Sequence, residues 1–196
     1  MGCIVKFIYP IGSTPLDGDE LASLIPKYIA TQEELNAWEE KNILLAQDWA
    51  FKQKDILSIT FIQKLHKHMF DETWKWAGKF RKSEKTIGIV WYLIPTELKK
   101  LCDNVKYQID NETFPKDEIA VRFHHKLVYI HPFPNGNGRH ARLIADLLIM
   151  KQGLPRFSWG MNQSLYKASP VRKQYIESLQ LADHGDYSKL IVFARS

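Results

Sequence analysis

The chain of 196 residues is long enough for one domain with a substantial core and a small extension. Hydrophobic residues make up 45% of it and charged residues 25%, proportions typical of a soluble globular protein. The net charge of +5 is spread along the chain, which favours a solvated basic surface over a nucleic-acid-binding stripe.

The cysteines and the apolar runs exclude further classes of protein. Cys3 and Cys102 show neither C-x-x-C pairing nor zinc-type spacing, so we expect no disulfide scaffold and no structural zinc. No run approaches the roughly 18 apolar residues of a membrane span, and the first residues lack the features of a secretory signal. We therefore expect a cytoplasmic protein whose partners include neither a membrane nor a nucleic acid.

Capping signals and apolar spacing predict helices in the first 70 residues. An irregular lead with one short helix comes first. Thr31 followed by Glu34 is a capping-box signature, and the apolar residues behind it predict a helix over about 32–49. A further helix is predicted over 57–70.

Residues 71–95 differ from these helices because the 3.6-residue period is lost. The segment holds three tryptophans, and its β-rich run, residues 86–94, contains Gly88 and is followed by Pro95. This pattern predicts a short β-hairpin over about 83–94.

Helical spacing returns after Pro95 and continues to the end of the chain. Gly153 and Pro155 stop the helix that follows the turn near residue 135. The predicted helices cover about 96–109, Pro115 to His131, the segment from the turn to Gly153, 169–182 and 186–194. The predicted architecture is an all-α bundle that carries one β-hairpin.

The turn at residues 131–142 carries residues suited to phosphate chemistry. Gly136 and Gly138 permit positive φ angles, which gather backbone N–H groups at the start of a helix whose dipole also favours anions. Arg139 and Arg142 project from neighbouring positions on that helix. His131 ends the preceding helix, where an imidazole can act as a general base near neutral pH. Together these groups can deprotonate a hydroxyl and direct it onto a phosphate.

The stretch "HPFPNGNGRHAR", residues 131–142, resembles the signature of the Fic family, H-P-F-x-[D/E]-G-N-G-R-x-x-R, at every fixed position but one. The segments "WKWAGKFRKSEKTIGI" and "YIESLQLADHGDYSKLIVF" are similar to the segment leading into the Fic flap and to the Fic C-terminal segment. The N-terminal region resembles a bacterial subgroup called mobile mystery protein B. This resemblance covers nearly the whole chain. It implies a Fic-type helical bundle with a small β-hairpin flap, in which residues 1–54 form an N-terminal extension and residues 55–196 the Fic domain.

The resemblance also implies a reaction and a role for each motif residue. Fic proteins typically transfer AMP from ATP to a Ser, Thr or Tyr hydroxyl of a target protein and release pyrophosphate. His131 would be the base, and Phe133 would anchor the turn in the core. The nucleotide phosphates would lie against Gly136, Asn137, Gly138, Arg139 and Arg142. The flap would hold the target by strand-like pairing through Thr86, Ile87, Gly88 and Ile89.

Asn135 departs from the family pattern, which has Asp or Glu at this position to hold Mg²⁺ on the phosphates. Because Mg²⁺ prefers carboxylates, we expect Asn135 to bind the ion weakly, directly or through a water, and to slow AMP transfer. The inhibitory motif of the family, [S/T]-x-x-x-E-[G/N], is missing. The segment "NAWEEKN" comes nearest to it, which makes Glu40, or Glu39 beside it, a candidate internal inhibitor. The subgroup resemblance further implies a small antitoxin-like helix-turn-helix partner.

Other functions on the same fold stay open at this point. A Fic-fold kinase or phosphocholine transferase would use another phosphate-containing donor, but the retained Gly136-Asn137-Gly138-Arg139 element favours AMP transfer. Asn135 is also compatible with a degenerate, non-catalytic protein that only binds nucleotide. The intact His131 argues against that alternative, since a binder has no need of the base.

Overall fold

The computed structural model describes residues 14–160, Leu165 and residues 169–196 of the chain. Within these ranges a 3-10 helix, Trp91–Leu93, leads directly into one of the α-helices. No helix of the described ranges is long and apolar enough to cross a lipid bilayer. In chain order, the α-helices are α1 (Gly18–Ala22), α2 (Gln32–Phe51), α3 (Ile59–Phe70), α4 (Ile94–Asp110), α5 (Lys116–Ile130), α6 (Asn137–Lys151), α7 (Pro170–Asp183) and α8 (Ser188–Arg195).

Side-chain caps fix the starts of α2 and α3. The Thr31 hydroxyl accepts a hydrogen bond from the Glu34 N–H at 3.2 Å, and the Glu34 carboxylate accepts one from the Thr31 N–H at 3.0 Å. This reciprocal pair satisfies N–H groups that have no partner inside the helix. At the start of α3 the Ser58 hydroxyl accepts the Phe61 N–H at 3.2 Å, without a reciprocal bond. The helices predicted over 32–49 and 57–70 are thus confirmed, with slightly shifted ends.

The β-hairpin predicted over 83–94 is wrong, because the described residues of this segment contain no strand. The backbone follows an irregular path until the 3-10 helix, and its last residues belong to α4. Pro95 lies in the first turn of α4, where its missing N–H costs no hydrogen bond, and does not close a hairpin. Carbonyl groups at Ser83 and Ile89 accept hydrogen bonds from the Arg81 side chain in place of a partner strand.

Helices α5 and α6 form the centre of the fold. Helix α5 packs against α4, α6 and α8, while α2 packs along α3 and touches α6. Every residue from 143 to 149 of α6 is buried, and α5 buries Ile119, Phe123 and Leu127. The turn at residues 131–136 is therefore held at both ends by buried helices.

Candidate active site

His131 ends α5 in a backbone conformation that a non-glycine residue rarely adopts. Its φ of 54° and ψ of 60° are left-handed, and its N–H still donates to the Leu127 carbonyl at 3.2 Å. Left-handed backbone stops the helix and turns the chain sharply toward the core. Such strain is found where the surrounding structure fixes a functional side chain.

The two residues that hold the turn are Phe133 and Asn137. Phe133 is fully buried and stacks on the His66 ring, with 3.7 Å between the ring centroids. The Asn137 amide oxygen accepts the Phe133 N–H at 2.9 Å, and its NH₂ group donates to the Phe133 carbonyl at 2.8 Å. Asn137 was predicted to contact phosphate, but this pairing commits its buried side chain to the turn. What remains for an anion is its backbone N–H.

An uncapped helix N-terminus faces the turn at Gly136. Helix α6 begins at Asn137 without a side-chain cap, so its first N–H groups can bind an anion. Gly136 has a φ of 79°, and a Cβ atom there would lie 2.6 Å from the Phe70 ring. A side chain is therefore excluded at Gly136. At Gly138 a Cβ would make ordinary van der Waals contact with the Arg142 side chain at 3.6 Å, so a side chain is not excluded there.

The two arginines of the motif contact different neighbours. Arg139 forms an ion pair with Glu39 of α2, and its guanidinium lies 4.8 Å from the Phe70 ring centroid. Arg142 lies 5.5 Å from the ring centroid of Tyr175 in α7. The cations thus stand on both sides of the α6 N-terminus, one toward α2 and the other toward α7.

The acidic residue that the fold brings to the motif is Glu39. It is 4% exposed, accepts a hydrogen bond from the Trp74 indole at 2.7 Å and pairs with Arg139. Of the two candidate inhibitors, Glu39 contacts the motif, whereas Glu40 is exposed to solvent. The helical spacing of α2 distinguishes the two glutamates. Glu39 lies on the buried face with Leu35 and Ala46, whereas Glu40 is turned about 100° away from that face.

The imidazole of His131 is buried and has one hydroxyl partner. Its Nε2 lies 2.9 Å from the Thr14 hydroxyl, and both side chains are less than a tenth exposed. Burial, assisted by the positive charges of Arg81 and Lys85, lowers the pKa of His131 to about 4, while the Val128 carbonyl opposes the shift. The ring is therefore neutral near pH 7, the protonation state in which it can accept a proton.

Arg81 is a residue of the site that the sequence did not reveal. It is 2% exposed, and its Nε donates to the His131 carbonyl at 2.7 Å. Other nitrogens of the same guanidinium donate to Ser83 and Ile89 of the flap, residues 83–90. A planar guanidinium can bind several carbonyls at fixed angles, which a lysine cannot do. Arg81 thereby ties the flap to the backbone of His131. In the sequence it cannot be told apart from its basic neighbour Lys82, which is exposed to solvent.

The flap residues lie over His131, although not as a hairpin. Gly88 has a φ of 106°, and a Cβ there would approach the His131 Cβ to 2.6 Å. The Ile89 N–H points to the Ile130 carbonyl at 3.5 Å. Thr86 and Ile87, which precede Gly88, are exposed to solvent, Ile87 by 41%.

The residues around Asn135 offer little to a metal ion by themselves. Its amide oxygen accepts the Gly136 N–H at 2.6 Å and lies 3.4 Å from an Arg139 nitrogen. Within the described ranges, no group of three or more His, Cys, Asp or Glu side chains is placed to hold a metal. A neutral oxygen that is already engaged fits Mg²⁺ poorly, so the phosphates would have to supply most of its ligands.

Comparison with known proteins supports one family. Residues 56–149 match the model of the Fic/DOC family. The protein adenylyltransferase fic-1 of Caenorhabditis elegans is 32% identical over 139 residues, which are 69% of this chain and 26% of that protein. Its counterpart in Caenorhabditis briggsae is 35% identical over 113 residues, 56% of this chain and 21% of that protein. The chain thus spans only about a quarter or less of the length of these relatives.

Solved structures show the same fold. Fic-1 of Caenorhabditis elegans superimposes with a TM-score of 0.60 at 26% identity, covering 80% of this chain and 48% of that one. The BepC protein of Bartonella tribocorum has a TM-score of 0.69 at 15% identity, covering 91% of this chain and 97% of that one. With the motif from His131 to Arg142 assembled on the turn between two buried helices, the chain belongs to the Fic/DOC family.

Proposed function

We propose that the protein transfers AMP from ATP to a Ser, Thr or Tyr hydroxyl of a target protein. The observation that carries this proposal is the neutral His131 imidazole, held 2.9 Å from a hydroxyl next to the uncapped start of α6. A base in hydrogen-bond reach of a hydroxyl and an anion site beside it are the two parts that the reaction requires. The curated relatives are named protein adenylyltransferases, and the BepC structure contains bound AMPPNP.

The proposed step follows from the positions of these groups. His131 Nε2 takes the proton of the acceptor hydroxyl while the oxygen forms a bond to the α-phosphorus of ATP. The bond from the α-phosphorus to the bridging oxygen breaks, and pyrophosphate leaves. The N–H groups at the start of α6 and the guanidinium groups of Arg139 and Arg142 stabilise the phosphate charge. Mg²⁺, if it enters with the nucleotide, would supply further positive charge at the phosphates beside Asn135.

The position of the label on ATP separates this proposal from the other functions. We expect transfer from α-labelled ATP to proteins of a host lysate, and none from γ-labelled ATP. Transfer of the γ label would identify a kinase of the same fold. Binding of nucleotide without transfer of either label would identify a non-catalytic protein.

Asn135→Asp is expected to raise the affinity of the site for Mg²⁺. A carboxylate adds the charge and the ligand type that Mg²⁺ prefers, so the concentration for half-maximal labelling should fall on the order of tenfold, about 1.4 kcal/mol. A Mg²⁺ titration of labelling from α-labelled ATP measures this. Asn104→Asp, on an exposed position of α4, adds the same charge at a distance and serves as control. Equal titration curves for Asn135→Asp and wild type would show that position 135 does not hold the metal.

We propose that Glu39 restrains Arg139 in the absence of nucleotide. Glu39→Gln keeps the volume and the acceptor for Trp74 but removes the charge that faces Arg139. We expect nucleotide to bind about tenfold more tightly, or about 1.4 kcal/mol, while the free energy of unfolding falls by about 1–3 kcal/mol because a buried charge-assisted contact is lost. Calorimetric titration and urea unfolding measure the two effects.

The neighbouring residue provides a matched control for that experiment. Glu40→Gln makes the same chemical change on the exposed side of α2 and should alter neither affinity nor stability by more than about 0.5 kcal/mol. If the two variants bound nucleotide equally tightly, Glu39 would not be the restraint.

Three broader expectations accompany the proposed reaction. We propose that residues 1–54 form an extension of the domain at 55–196, which the packing of α2 along α3 supports. The resemblance to the bacterial subgroup favours a small antitoxin-like partner, which co-purification with the product of an adjacent gene would test. A cytoplasmic location agrees with the free, buried thiol of Cys102.

A further inference from the structure

The hydroxyl that faces the base belongs to the chain itself. Thr14 lies 117 residues before His131 in the sequence, and its Oγ1 is 2.9 Å from His131 Nε2. A general base must be within hydrogen-bond reach of the proton that it removes, and 2.9 Å satisfies that requirement. Thr14 is 4% exposed, so it is enclosed at this position and does not merely touch it from solvent.

Side-chain contacts hold the segment of residues 14–20 along the flap. Lys85 of the flap pairs with Glu20 at 2.6 Å and with Asp17 at 3.5 Å. The Lys85 side chain is only 6% exposed, so this contact is better shielded than an ordinary surface ion pair. Leu16, 9% exposed, packs into the core between these charges and Thr14. The segment thus runs beside residues 83–86 and ends with its hydroxyl at the base.

Asn135 contributes a contact that the family's usual carboxylate could not make. Its NH₂ group donates to the Thr14 carbonyl at 3.4 Å. The orientation of the amide is fixed by its other end, because only an oxygen can accept the Gly136 N–H at 2.6 Å. Aspartate or glutamate would place an acceptor opposite the Thr14 carbonyl. The residue that departs from the motif is therefore complementary to the segment that occupies the site.

We propose that Thr14 is an acceptor of the chain's own AMP transfer, modified within the same molecule. The inference rests on the proposed function, since it uses the same base and the same donor. The Thr14 hydroxyl gives its proton to His131 Nε2, its oxygen bonds to the α-phosphorus of ATP, and the bond to the β-phosphate bridging oxygen breaks. The products are Thr14 carrying AMP in a phosphodiester link and pyrophosphate.

Modification of Thr14 would change the site in a defined way. The Thr14 oxygen loses the proton that it shared with His131 and carries the AMP that was bound at the start of α6. When the attached AMP leaves the nucleotide site, the segment at residues 14–20 would leave the base with it and open the site to an external acceptor. Self-modification at this position thus differs from random labelling of exposed hydroxyls, because it removes the occupant of the acceptor position.

Mapping the label on the purified full chain tests the proposal. The chain is incubated with α-labelled ATP and Mg²⁺, with and without host lysate, and its peptides are analysed by mass spectrometry. We expect AMP on Thr14, with a first-order rate constant that does not depend on protein concentration. Thr14→Val has nearly the same shape but no hydroxyl, and should lose the label at this position. Thr14→Ser should restore it, and unchanged thermal unfolding of both variants would show that the fold is kept.

The outcomes separate this inference from the proposed function. Label on lysate proteins together with self-label at residues other than Thr14, or undiminished self-label in Thr14→Val, would overturn the inference and leave the function standing. A rate constant that rises with protein concentration would overturn modification within one molecule. Absence of label from the chain and from lysate proteins alike would overturn the proposed function and this inference with it.

Discussion

His131→Ala is expected to lower the rate of AMP transfer by about 10²–10⁴-fold, the contribution typical of a positioned general base. In the proposed reaction the imidazole takes the proton of the acceptor hydroxyl and the start of α6 binds the phosphates, so nucleotide affinity should change little. Single-turnover labelling from α-labelled ATP measures the rate, and calorimetric titration measures the affinity. His184→Ala, an exposed histidine after α7, is the control. A His131→Ala variant that kept the wild-type rate would remove this residue from the reaction.

The pH profile of the same reaction gives a second measure of His131. A base works when deprotonated, and the pKa of His131 is lowered to about 4, mainly by burial. The neutral form therefore dominates throughout the range from pH 6 to 8, where an unperturbed histidine would titrate with a pKa near 6.5. We expect the rate to stay level across that range. A rate that falls as the pH is lowered, with a midpoint near pH 6.5, would show that the imidazole is solvated when it reacts.

Phe133→Ala is expected to lower the free energy of unfolding by about 3–5 kcal/mol, the range found when a buried phenylalanine is truncated. The ring is fully buried, stacks on His66 and contacts the Phe80 and His140 rings edge-on or tilted. Its removal leaves a cavity directly under the turn that carries the site. The midpoint of urea unfolding measures the loss.

An exposed phenylalanine serves as the control for that change. Phe51 at the end of α2 is 41% exposed, and Phe51→Ala should cost far less than Phe133→Ala. If both substitutions lowered the urea midpoint equally, the turn would not depend on Phe133 as an anchor. Loss of labelling activity in step with the loss of stability is expected for Phe133→Ala alone.

The helices could be predicted from the sequence because their signals are local. The capping box of Thr31 and Glu34 involves residues three apart, and the turn motif from residue 131 to 142 is one continuous stretch. The β-rich run at 86–94 misled for the same reason. Its β-forming residues were read locally, whereas the conformation depends on Arg81, which donates to carbonyls 8 and 50 residues away.

The contacts that organise the site are distant in sequence and were missed. Thr14 and His131 are 117 residues apart, and Glu39 and Arg139 are 100 apart. Nothing in a single sequence states which of two adjacent glutamates meets an arginine on another helix. For Glu39 the helical phase of α2 offered a clue, since its buried face can be traced from the apolar residues. Thr14 lies outside any helix, so no helical periodicity could indicate which way its side chain faces.

In the proposed reaction, the ion pair between Glu39 and Arg139 makes nucleotide binding an exchange of one anion for another. A phosphate that binds Arg139 must displace the Glu39 carboxylate. The local charge therefore changes less than it would if the phosphate bound a cation that had no anionic partner. The displaced Glu39 would keep the hydrogen bond that it accepts from the Trp74 indole. By thermodynamic reciprocity, any change that draws Glu39 away from Arg139 would raise the affinity for nucleotide, and bound nucleotide would weaken the hold of Arg139 on Glu39 to the same degree.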